Sequence, residues 1–299
     1  MSEFIRFFET PANETASCAV FMSGTGSNAV KVIENSLNNP EANYVVSVVV
    51  TDRPKSSAAE KIAEKYGIPF VGFGLKHFYM ENGLASTSIM TSEGRVVREK
   101  WSGALLEELK AYSVDFGVLA GFQPLCNVME AFPCLNIHPG DLTVMSGGER
   151  LYTGLHHVPV EKTILNGELF LRSSVILAEP LSSTVDNVDA GFILGVSADV
   201  EIDFLNYSLE ELEAGFYARP EVKPAGGYDD ALEEVAKFNL QKLKEDGDWT
   251  VLPKVINDFV DQRFCCDASS QLFYNVSRPV PITTVLYGKD YKELIFSID

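Results

Sequence analysis

The first half of the chain alternates short apolar runs with segments of helical periodicity. Tyr44–Val50 is almost continuously apolar, as expected for a parallel strand that is covered on both faces. Cys18–Met22 and Asp115–Ala120 are shorter runs of the same kind. Ala29–Ser36 and Arg95–Ala111 place apolar residues at the spacing of amphipathic helices. This alternation predicts an α/β fold with a doubly wound, mostly parallel, Rossmann-like sheet.

The composition limits the kinds of partner that the chain can bind. Its 299 residues are 46% hydrophobic, which is enough for a sizeable core. A net charge of −18 disfavours nucleic acids and anionic membranes as partners. No apolar run approaches the roughly 20 residues that span a bilayer. A small anion held by backbone amides is still compatible with this charge. The sequence therefore predicts small-molecule substrates, with no nucleic acid or membrane partner and with a homodimer left open.

The N-terminus and the cysteines indicate a compartment. The sequence MSEFIRFFETPANE lacks a basic segment followed by an apolar stretch, so no signal peptide is expected. The five cysteines are odd in number and have no metal-ligand spacing, so we interpret them as reduced thiols and predict no metal site. Both features favour a cytoplasmic protein.

A glycine-rich loop joins the first predicted strand to the first predicted helix. It consists of Gly24, Thr25, Gly26, Ser27 and Asn28. Its backbone amides and the helix N-terminus would attract a phosphate or a carboxylate. The loop also fits the loose dinucleotide pattern G-x-G-x-x-A, with Asp52 placed where an acid could bind a ribose. An anion site, a dinucleotide site and a plain turn all remain open from this pattern.

A carboxamide and an imidazole lie close together at the end of a second apolar run. Asn136 and His138 alternate with Leu135 and Ile137, and Pro139 follows them. In a strand, both polar side chains would point to the same face. Histidine transfers protons near neutral pH, and the asparagine N–H group can stabilise an oxyanion. The pair suits attack on a carbonyl, although a core histidine beside a turn asparagine would look the same.

An acidic residue occupies a tight turn further along the chain. The turn reads Val188-Asp189-Ala190-Gly191. A carboxylate close to His138 would favour the imidazolium form and raise the histidine pKa. A solvated aspartate in a surface turn is the alternative interpretation of the same residues.

Taken in order, these motifs resemble those of the folate-dependent formyltransferases, and most closely the branch that acts on glycinamide ribonucleotide. Residues 23–28 are similar to its S-G-N-G-S-N, 118–122 to V-L-A-G-F and 135–139 to L-N-I-H-P. Shorter similarities occur at 154–156, 173–175 and 188–191, and Arg98 stands at the spacing before Asp115 that the branch shows. The resemblance covers most of residues 17–277.

The resemblance implies transfer of a formyl group from 10-formyltetrahydrofolate, a co-substrate, to an amine, with no metal. It implies a catalytic role for Asn136 on the formyl oxygen, for His138 in proton transfer and for Asp189 in orienting that histidine. It places the acceptor's phosphate on Gly24–Asn28. It also implies a folate pocket lined by Arg98, Gln123, Pro124, Leu125, Cys126 and Asn136.

The acceptor is less well determined than the chemistry. The family pattern after N-I-H-P is lost over Gly140–Tyr152, and Leu171–Ile176 lacks both histidines of the family's H-G-T-S-V-H. Glycinamide ribonucleotide is the leading acceptor, which would place the chain in purine biosynthesis. An amino sugar nucleotide, or water in a hydrolase, is the alternative within the family. Outside it, a nicotinamide dinucleotide-binding oxidoreductase and a non-catalytic binding protein remain alternatives.

The same patterns suggest a domain organisation. We expect an N-terminal extension over residues 1–16, a catalytic domain over 17–203 and a C-terminal helix-plus-strand elaboration over 204–299 that packs on the same domain. Residues 204–227 contain proline, glycine and mixed charges, and we interpret them as an insertion.

Overall fold

Strands and helices follow one another along the chain. The structure is a computed structural model that describes residues 4–9, 15–180, 189–224, 226–275 and 277–296. The strands are β1 (Ile5–Arg6), β2 (Ala16–Phe21), β3 (Tyr44–Thr51), β4 (Phe70–Gly72), β5 (Phe116–Leu119), β6 (Cys134–His138), β7 (Met145–Ser146), β8 (Glu149–Arg150), β9 (Phe170–Leu171), β10 (Ser174–Leu177), β11 (Ile193–Ser197), β12 (Val200–Glu201), β13 (Phe264–Cys266), β14 (Leu272–Tyr274), β15 (Val280–Pro281), β16 (Thr284–Tyr287) and β17 (Lys292–Ile295). The helices are α1 (Ser27–Asn38), α2 (Ala59–Tyr66), α3 (Leu75–Glu81), α4 (Ser92–Leu109), α5 (Val158–Leu165), α6 (Leu209–Tyr217), α7 (Ala231–Leu243) and α8 (Trp249–Val260).

The chain divides into two compact units, each built from three stretches of sequence. Unit 1 comprises Met1–Ile137, Ile176–Phe192 and Pro253–Pro281. Unit 2 comprises His138–Val175, Ile193–Leu252 and Ile282–Asp299. The predicted domain boundary at residue 203 stays a prediction.

A parallel sheet forms the centre of unit 1, with the strand order β6-β5-β2-β3-β4. All four pairings between these neighbours are parallel. The chain places β3 and β4 on one side of β2, then returns to place β5 and β6 on the other. The order therefore reverses between β2 and β5, and ligands of open α/β sheets bind at the carboxyl ends of strands beside such a reversal. The predicted α/β fold with a mostly parallel sheet is confirmed.

Helix α4 covers one face of this sheet. Thr91 begins the helix by accepting a hydrogen bond from the Gly94 N–H group with its side chain. Val97, Trp101 and Leu105 recur every four residues and lie fully or almost fully buried in the core of unit 1. This packing fixes the helix against the sheet and explains its amphipathic sequence.

The other strands of unit 1 belong to a small antiparallel sheet with the order β1-β13-β14-β15. Ile5 pairs with Cys266 and Arg6 with Cys265, so part of the predicted N-terminal extension is a strand. Sequence periodicity predicts only two or three strands in the last 35 residues, whereas β14, β15, β16 and β17 all lie there. Their lengths of two to four residues explain why sequence periodicity underestimates their number.

Unit 2 contains a second hydrophobic core between helices α5, α6 and α7 and the antiparallel pair β9–β12. Its buried side chains include Val160, Ile164, Leu212 and Val235. The strands β11 and β16 pair in parallel, and β16 pairs with β17 in antiparallel. The predicted insertion over residues 204–227 contributes helix α6 to this core, through Leu212.

Two predicted irregular segments contain regular structure. The Gly, Ser and Thr residues of 74–92 predict a loop, but α3 occupies Leu75–Glu81 because Leu75 and Tyr79 share one buried face. The irregular segment after His138 contains a two-residue hairpin turn, with Gly147 and Gly148 at φ of 60° and 88° between β7 and β8. No helix in the described ranges is long and apolar enough to span a membrane.

Candidate functional site

The glycine loop lies at the carboxyl end of β2, as its sequence predicts. Gly26 precedes α1 with a φ of +74° and no side-chain cap. A Cβ atom on Gly26 would lie 2.5 Å from the side chains of Ile62 and Met22. Gly24 and Thr25 are exposed, whereas Gly26 and Asn28 are buried. The uncapped helix start therefore offers backbone N–H groups to an anion, and only glycine fits the turn that precedes it.

The loop is held in place by its neighbours at the same edge of the sheet. The Ser23 hydroxyl donates to Asp52 Oδ1 at 2.5 Å and accepts from the Gln123 N–H group at 2.9 Å. Burial raises the pKa of the Asp52 carboxyl, and the hydrogen bond from Ser23 opposes that rise. Asp52 is 5% exposed and is turned towards Ser23. This orientation does not favour the ribose-binding role of the dinucleotide interpretation.

Arg98 lies beside the predicted folate segment and is almost completely buried. Its Nη1 atom donates to the Leu125 carbonyl at 2.7 Å, and its Nη2 atom donates to the Thr87 carbonyl at 2.8 Å. The guanidinium also lies over the Tyr79 ring at 5.5 Å. Arg98 thus fixes the backbone of this segment, and a direct contact with folate stays a prediction.

The other members of the predicted folate segment differ in exposure. Gln123, Pro124 and Leu125 are partly exposed, whereas Cys126 is 1% exposed and belongs to the core of unit 1. Burial raises the pKa of the Cys126 thiol to about 11. Only the backbone of Cys126 could therefore line a pocket, and its thiol is unreactive at neutral pH.

The end of β6 carries the predicted carbonyl-attack pair. Residues 134–138 form a strand, so Asn136 and His138 project to the same face of it. Asn136 is partly exposed, and His138 is 3% exposed. The Nε2 atom of His138 lies 2.7 Å from the Tyr152 carbonyl oxygen. Since a carbonyl oxygen only accepts, Nε2 carries a proton in this contact, and Nδ1 is the basic nitrogen of the neutral ring.

Tyr152 is a positioning residue that the sequence interpretation missed. Its phenol oxygen donates to Glu168 at 3.0 Å and accepts from the Asn166 side chain at 2.9 Å. The β7–β8 hairpin returns the chain to this point, since the Leu151 N–H group donates to the Val144 carbonyl. The segment that departs from the family pattern therefore supplies the carbonyl that orients His138. The Gly147-Gly148 dipeptide was the available sequence signal for the hairpin.

Ser174 fixes the backbone that follows His138. Its hydroxyl donates to the Gly140 carbonyl at 2.7 Å and accepts from the Leu142 N–H group at 3.0 Å. A Cβ atom on Gly140 would lie 2.6 Å from the Tyr152 carbonyl oxygen and 3.1 Å from His138 Nε2. The His138–Tyr152 contact therefore requires glycine at position 140. The similarity of residues 173–175 to the family motif was a usable signal for Ser174.

Asp189 is buried in unit 1, with 7% of its surface exposed. The turn packs tightly on the end of β10, because a Cβ atom on Gly191 would lie 1.6 Å from the Leu177 carbonyl oxygen. Val188, the first residue of the predicted turn, lies outside the described residues. Asp189 belongs to unit 1 and His138 to unit 2, and their pairing stays a prediction.

All five cysteines are free and buried. Across the described ranges, no group of three or more His, Cys, Asp or Glu side chains is arranged to hold a metal ion. The predicted site residues contain backbone amides, an amide side chain, an imidazole and a carboxylate.

Comparison with known proteins identifies the segment that carries these groups. Residues 16–157 match the family model described as formyl transferase. They include the glycine loop, residues 123–126 and the Asn136–His138 strand end. No curated protein sequence matches the chain significantly.

Several solved structures share the fold. The phosphoribosylglycinamide formyltransferase of Coxiella burnetii, in complex with CHES, is 20% identical, with 89% of this chain and 96% of that chain covered and a TM-score of 0.55. Glycinamide ribonucleotide transformylase 1 of Symbiobacterium toebii is 20% identical, with coverages of 87% and 95% and a TM-score of 0.53. The phosphoribosylglycinamide formyltransferase of Anaplasma phagocytophilum is 16% identical, with coverages of 91% and 98% and a TM-score of 0.54.

At these identities the solved structures establish the fold, and the family model matches the segment that carries the glycine loop and the end of β6. The sequence motifs, the switch point in the parallel sheet and the family match agree with one another. Residues 16–157 therefore match the formyl transferase family, and the chain shares the fold of solved formyltransferases.

Proposed function

We propose that the chain transfers a formyl group from 10-formyltetrahydrofolate to the amine of a small phosphorylated acceptor, with glycinamide ribonucleotide as the first candidate. The observation that carries this proposal is the polar end of β6. Asn136 and His138 share one face of that strand, and the contact between Nε2 and the Tyr152 carbonyl oxygen fixes the imidazole. His138 is buried, and burying an imidazole costs free energy that a role in proton transfer would explain.

In this proposal, the acceptor amine attacks the formyl carbon and a new C–N bond forms. The formyl oxygen becomes an oxyanion, and the Asn136 carboxamide donates an N–H group to it. His138 accepts the proton of the attacking amine, and N10 of the folate gains a proton as its bond to the formyl carbon breaks. The charge of Asp189 favours the imidazolium form that this step creates.

The substrates occupy the two loops at the carboxyl ends of β2 and β5. The acceptor's phosphate binds the backbone N–H groups of Gly24–Asn28, which begin an uncapped helix. The folate binds along Gln123–Cys126, whose backbone Arg98 supports through the Leu125 carbonyl. Asn136 lies at the next strand end, because β6 pairs with β5 in parallel. This arrangement supports a formyl group bound beside the proposed oxyanion donor.

A direct assay tests the acceptor. The purified chain is mixed with 10-formyltetrahydrofolate, with and without glycinamide ribonucleotide, and tetrahydrofolate formation is followed by absorbance. We expect turnover that depends on the amine. Equal turnover without any amine would instead make the chain a hydrolase of 10-formyltetrahydrofolate. Turnover with an amino sugar nucleotide but not with glycinamide ribonucleotide would replace the proposed acceptor.

Three variants test the proposed roles. His138→Ala, Asp189→Asn and Asn136→Ala should each lower kcat by about 10² to 10⁴-fold. Gln262→Ala, at an exposed contact with Arg6, serves as a control that should leave kcat unchanged. Circular dichroism establishes that each variant is folded. A folded His138→Ala protein with unchanged kcat would contradict the proposed proton transfer.

A further inference from the structure

Four residues form a closed ring of polar contacts at the carboxyl ends of β2, β3 and β5. Arg53 Nη2 donates to the Gln123 side-chain oxygen, and the Gln123 N–H group donates to Ser23 Oγ. Ser23 Oγ donates to Asp52 Oδ1, and Asp52 Oδ2 lies 3.5 Å from Arg53 Nε. The ring holds an arginine in a fixed position at the edge of the sheet where ligands of this fold bind.

The two charges of the ring face in opposite directions. The Asp52 side chain is 3% exposed, whereas the Arg53 side chain is 49% exposed. The Asp52 carboxylate is thus buried in contacts with protein groups, whereas the charged group exposed to solvent at the end of β3 is the Arg53 guanidinium. A guanidinium has five N–H donors. Its second terminal nitrogen, Nη1, has no hydrogen-bond partner within the described part of the chain. The N–H groups of Nη1 can therefore donate to a ligand.

The position of Arg53 indicates which substrate it would meet. Its strand β3 pairs directly with β2, which leads into the glycine loop. β2 stands between β3 and β5, the strand that leads into Gln123–Cys126. The Ala58 N–H group also donates to the Gly24 carbonyl at 3.0 Å, so the segment that follows Arg53 contacts the loop itself. The strand end that carries Arg53 therefore lies on the side of the glycine loop that is remote from β5, and its guanidinium reaches the Gln123 side chain.

We propose that Arg53 is a phosphate-binding residue that complements the glycine loop and selects an anionic acceptor. This inference rests on the proposed function, since it concerns the acceptor of the same reaction. The Asp52 and Gln123 contacts hold the guanidinium ready, so that less side-chain entropy is lost when the phosphate binds. In a chain with a net charge of −18, a local cation beside the loop offsets the general repulsion of an anion.

Steady-state kinetics of Arg53→Gln, Arg53→Lys and a control test this proposal. The control is Arg278→Gln, which makes the same charge change at an exposed arginine in the turn between β14 and β15. The acceptors are glycinamide ribonucleotide and its dephosphorylated riboside, each at saturating 10-formyltetrahydrofolate. We expect Arg53→Gln to raise KM for the phosphorylated acceptor by about tenfold or more, and Arg53→Lys to raise it less.

The other measurements separate phosphate binding from damage to the loop. KM for the riboside should stay within about twofold of its original value, since the riboside has no phosphate. KM for the donor should also stay within about twofold, since the Gln123 N–H group keeps its contact with Ser23 when Arg53 is replaced. The Arg278→Gln protein should match the unmodified protein throughout. An unchanged KM for the phosphorylated acceptor, a rise in the donor KM, or an equal rise for the riboside would each overturn the proposal.

A binding measurement keeps the test independent of the proposed acceptor. Inorganic phosphate should raise the Tm of the unmodified protein and of Arg278→Gln, and it should raise the Tm of Arg53→Gln much less. If the unmodified protein forms no product with glycinamide ribonucleotide, that acceptor is wrong, and the phosphate titration still decides the role of Arg53. An equal phosphate-induced Tm shift in Arg53→Gln and the unmodified protein would overturn it.

Discussion

The Nε2 atom of His138 lies 2.7 Å from the carbonyl oxygen of Tyr152. The contact joins the end of β6 to the end of the hairpin that follows it, across 14 residues. It fixes both the orientation and the tautomer of the imidazole, because only a protonated nitrogen can donate to a carbonyl. The proposed proton transfer therefore depends on a backbone group in a segment where the family pattern is lost.

Gly140→Ala tests this dependence. The new methyl group would lie 2.6 Å from the Tyr152 carbonyl oxygen, so that carbonyl must move away from His138. We expect kcat to fall by about 10 to 100-fold with little loss of secondary structure. Gly103→Ala is the matched control, since a Cβ atom there meets nothing within 4 Å. Its kcat should be unchanged and its stability equal or slightly higher. Full activity of Gly140→Ala would show that the contact is dispensable.

Gly26→Ala and Gly24→Ala should differ sharply in stability. Alanine at position 26 would adopt a φ of +74° and meet two side chains at 2.5 Å, whereas alanine at position 24 meets nothing within 4 Å. We expect Gly26→Ala to lower the free energy of unfolding by about 2–4 kcal/mol. Gly24→Ala should change it by less than about 0.5 kcal/mol. Urea denaturation measures both values, and equal losses would contradict the described turn.

Glu233 should make the stability of the protein depend on pH in the acidic range. Burial alone would raise the pKa of this carboxyl, but the N–H groups of Asp229 and Tyr228 outweigh it and hold the pKa at about 2. Because the folded pKa is lower than the unfolded one, Glu233 stabilises the protein above about pH 4.5. This contribution is lost as the pH falls towards 2.

Glu233→Gln measures that contribution. At pH 7 the substitution should lower the free energy of unfolding by on the order of 2 kcal/mol, and the difference from the unmodified protein should shrink progressively below pH 4.5. Glu234→Gln changes the exposed neighbouring carboxylate. It should lower the free energy of unfolding by less than about 0.5 kcal/mol at both pH 7 and pH 3. A difference that stays constant between pH 7 and pH 3 would contradict the assigned linkage.

Arg219 connects the predicted insertion to helices α5 and α7. Its guanidinium donates to both oxygens of Glu161 at 2.9 and 2.8 Å and to both oxygens of Asp230 at 2.7 and 3.0 Å. The Arg219 and Glu161 side chains are each 8% exposed. Arg219→Ala would remove the guanidinium partner of both carboxylates and should cost about 3–5 kcal/mol in chemical denaturation.

The control for Arg219 is Arg263→Ala, which removes a half-exposed arginine whose nitrogen lies 4.0 Å from Asp261. That change should cost less than about 1 kcal/mol. If Arg219→Ala is as mild as the control, the insertion is not held to unit 2 through this ion pair.

Much of the fold and part of the site could be predicted from local patterns. The helical periodicity of 95–111 identified α4 because Val97, Trp101 and Leu105 all face one core. Short strands such as β14–β17, and the helix α3 beside a glycine- and serine-rich stretch, were missed or undercounted. Each of these elements contains few residues, so its sequence is too short to show a clear hydrophobic periodicity.

The sequence by itself determined the order of the strands and helices, the glycine turn at Gly26 and the placement of Asn136 and His138 on one strand face, since these depend on neighbours a few residues apart. Only the tertiary structure decided which groups meet. Ser23 joins Asp52 across 29 residues and Gln123 across 100, and Tyr152 orients His138. Such partners depend on the path of the whole chain, because a hydrogen bond forms only where packing brings donor and acceptor within about 3 Å.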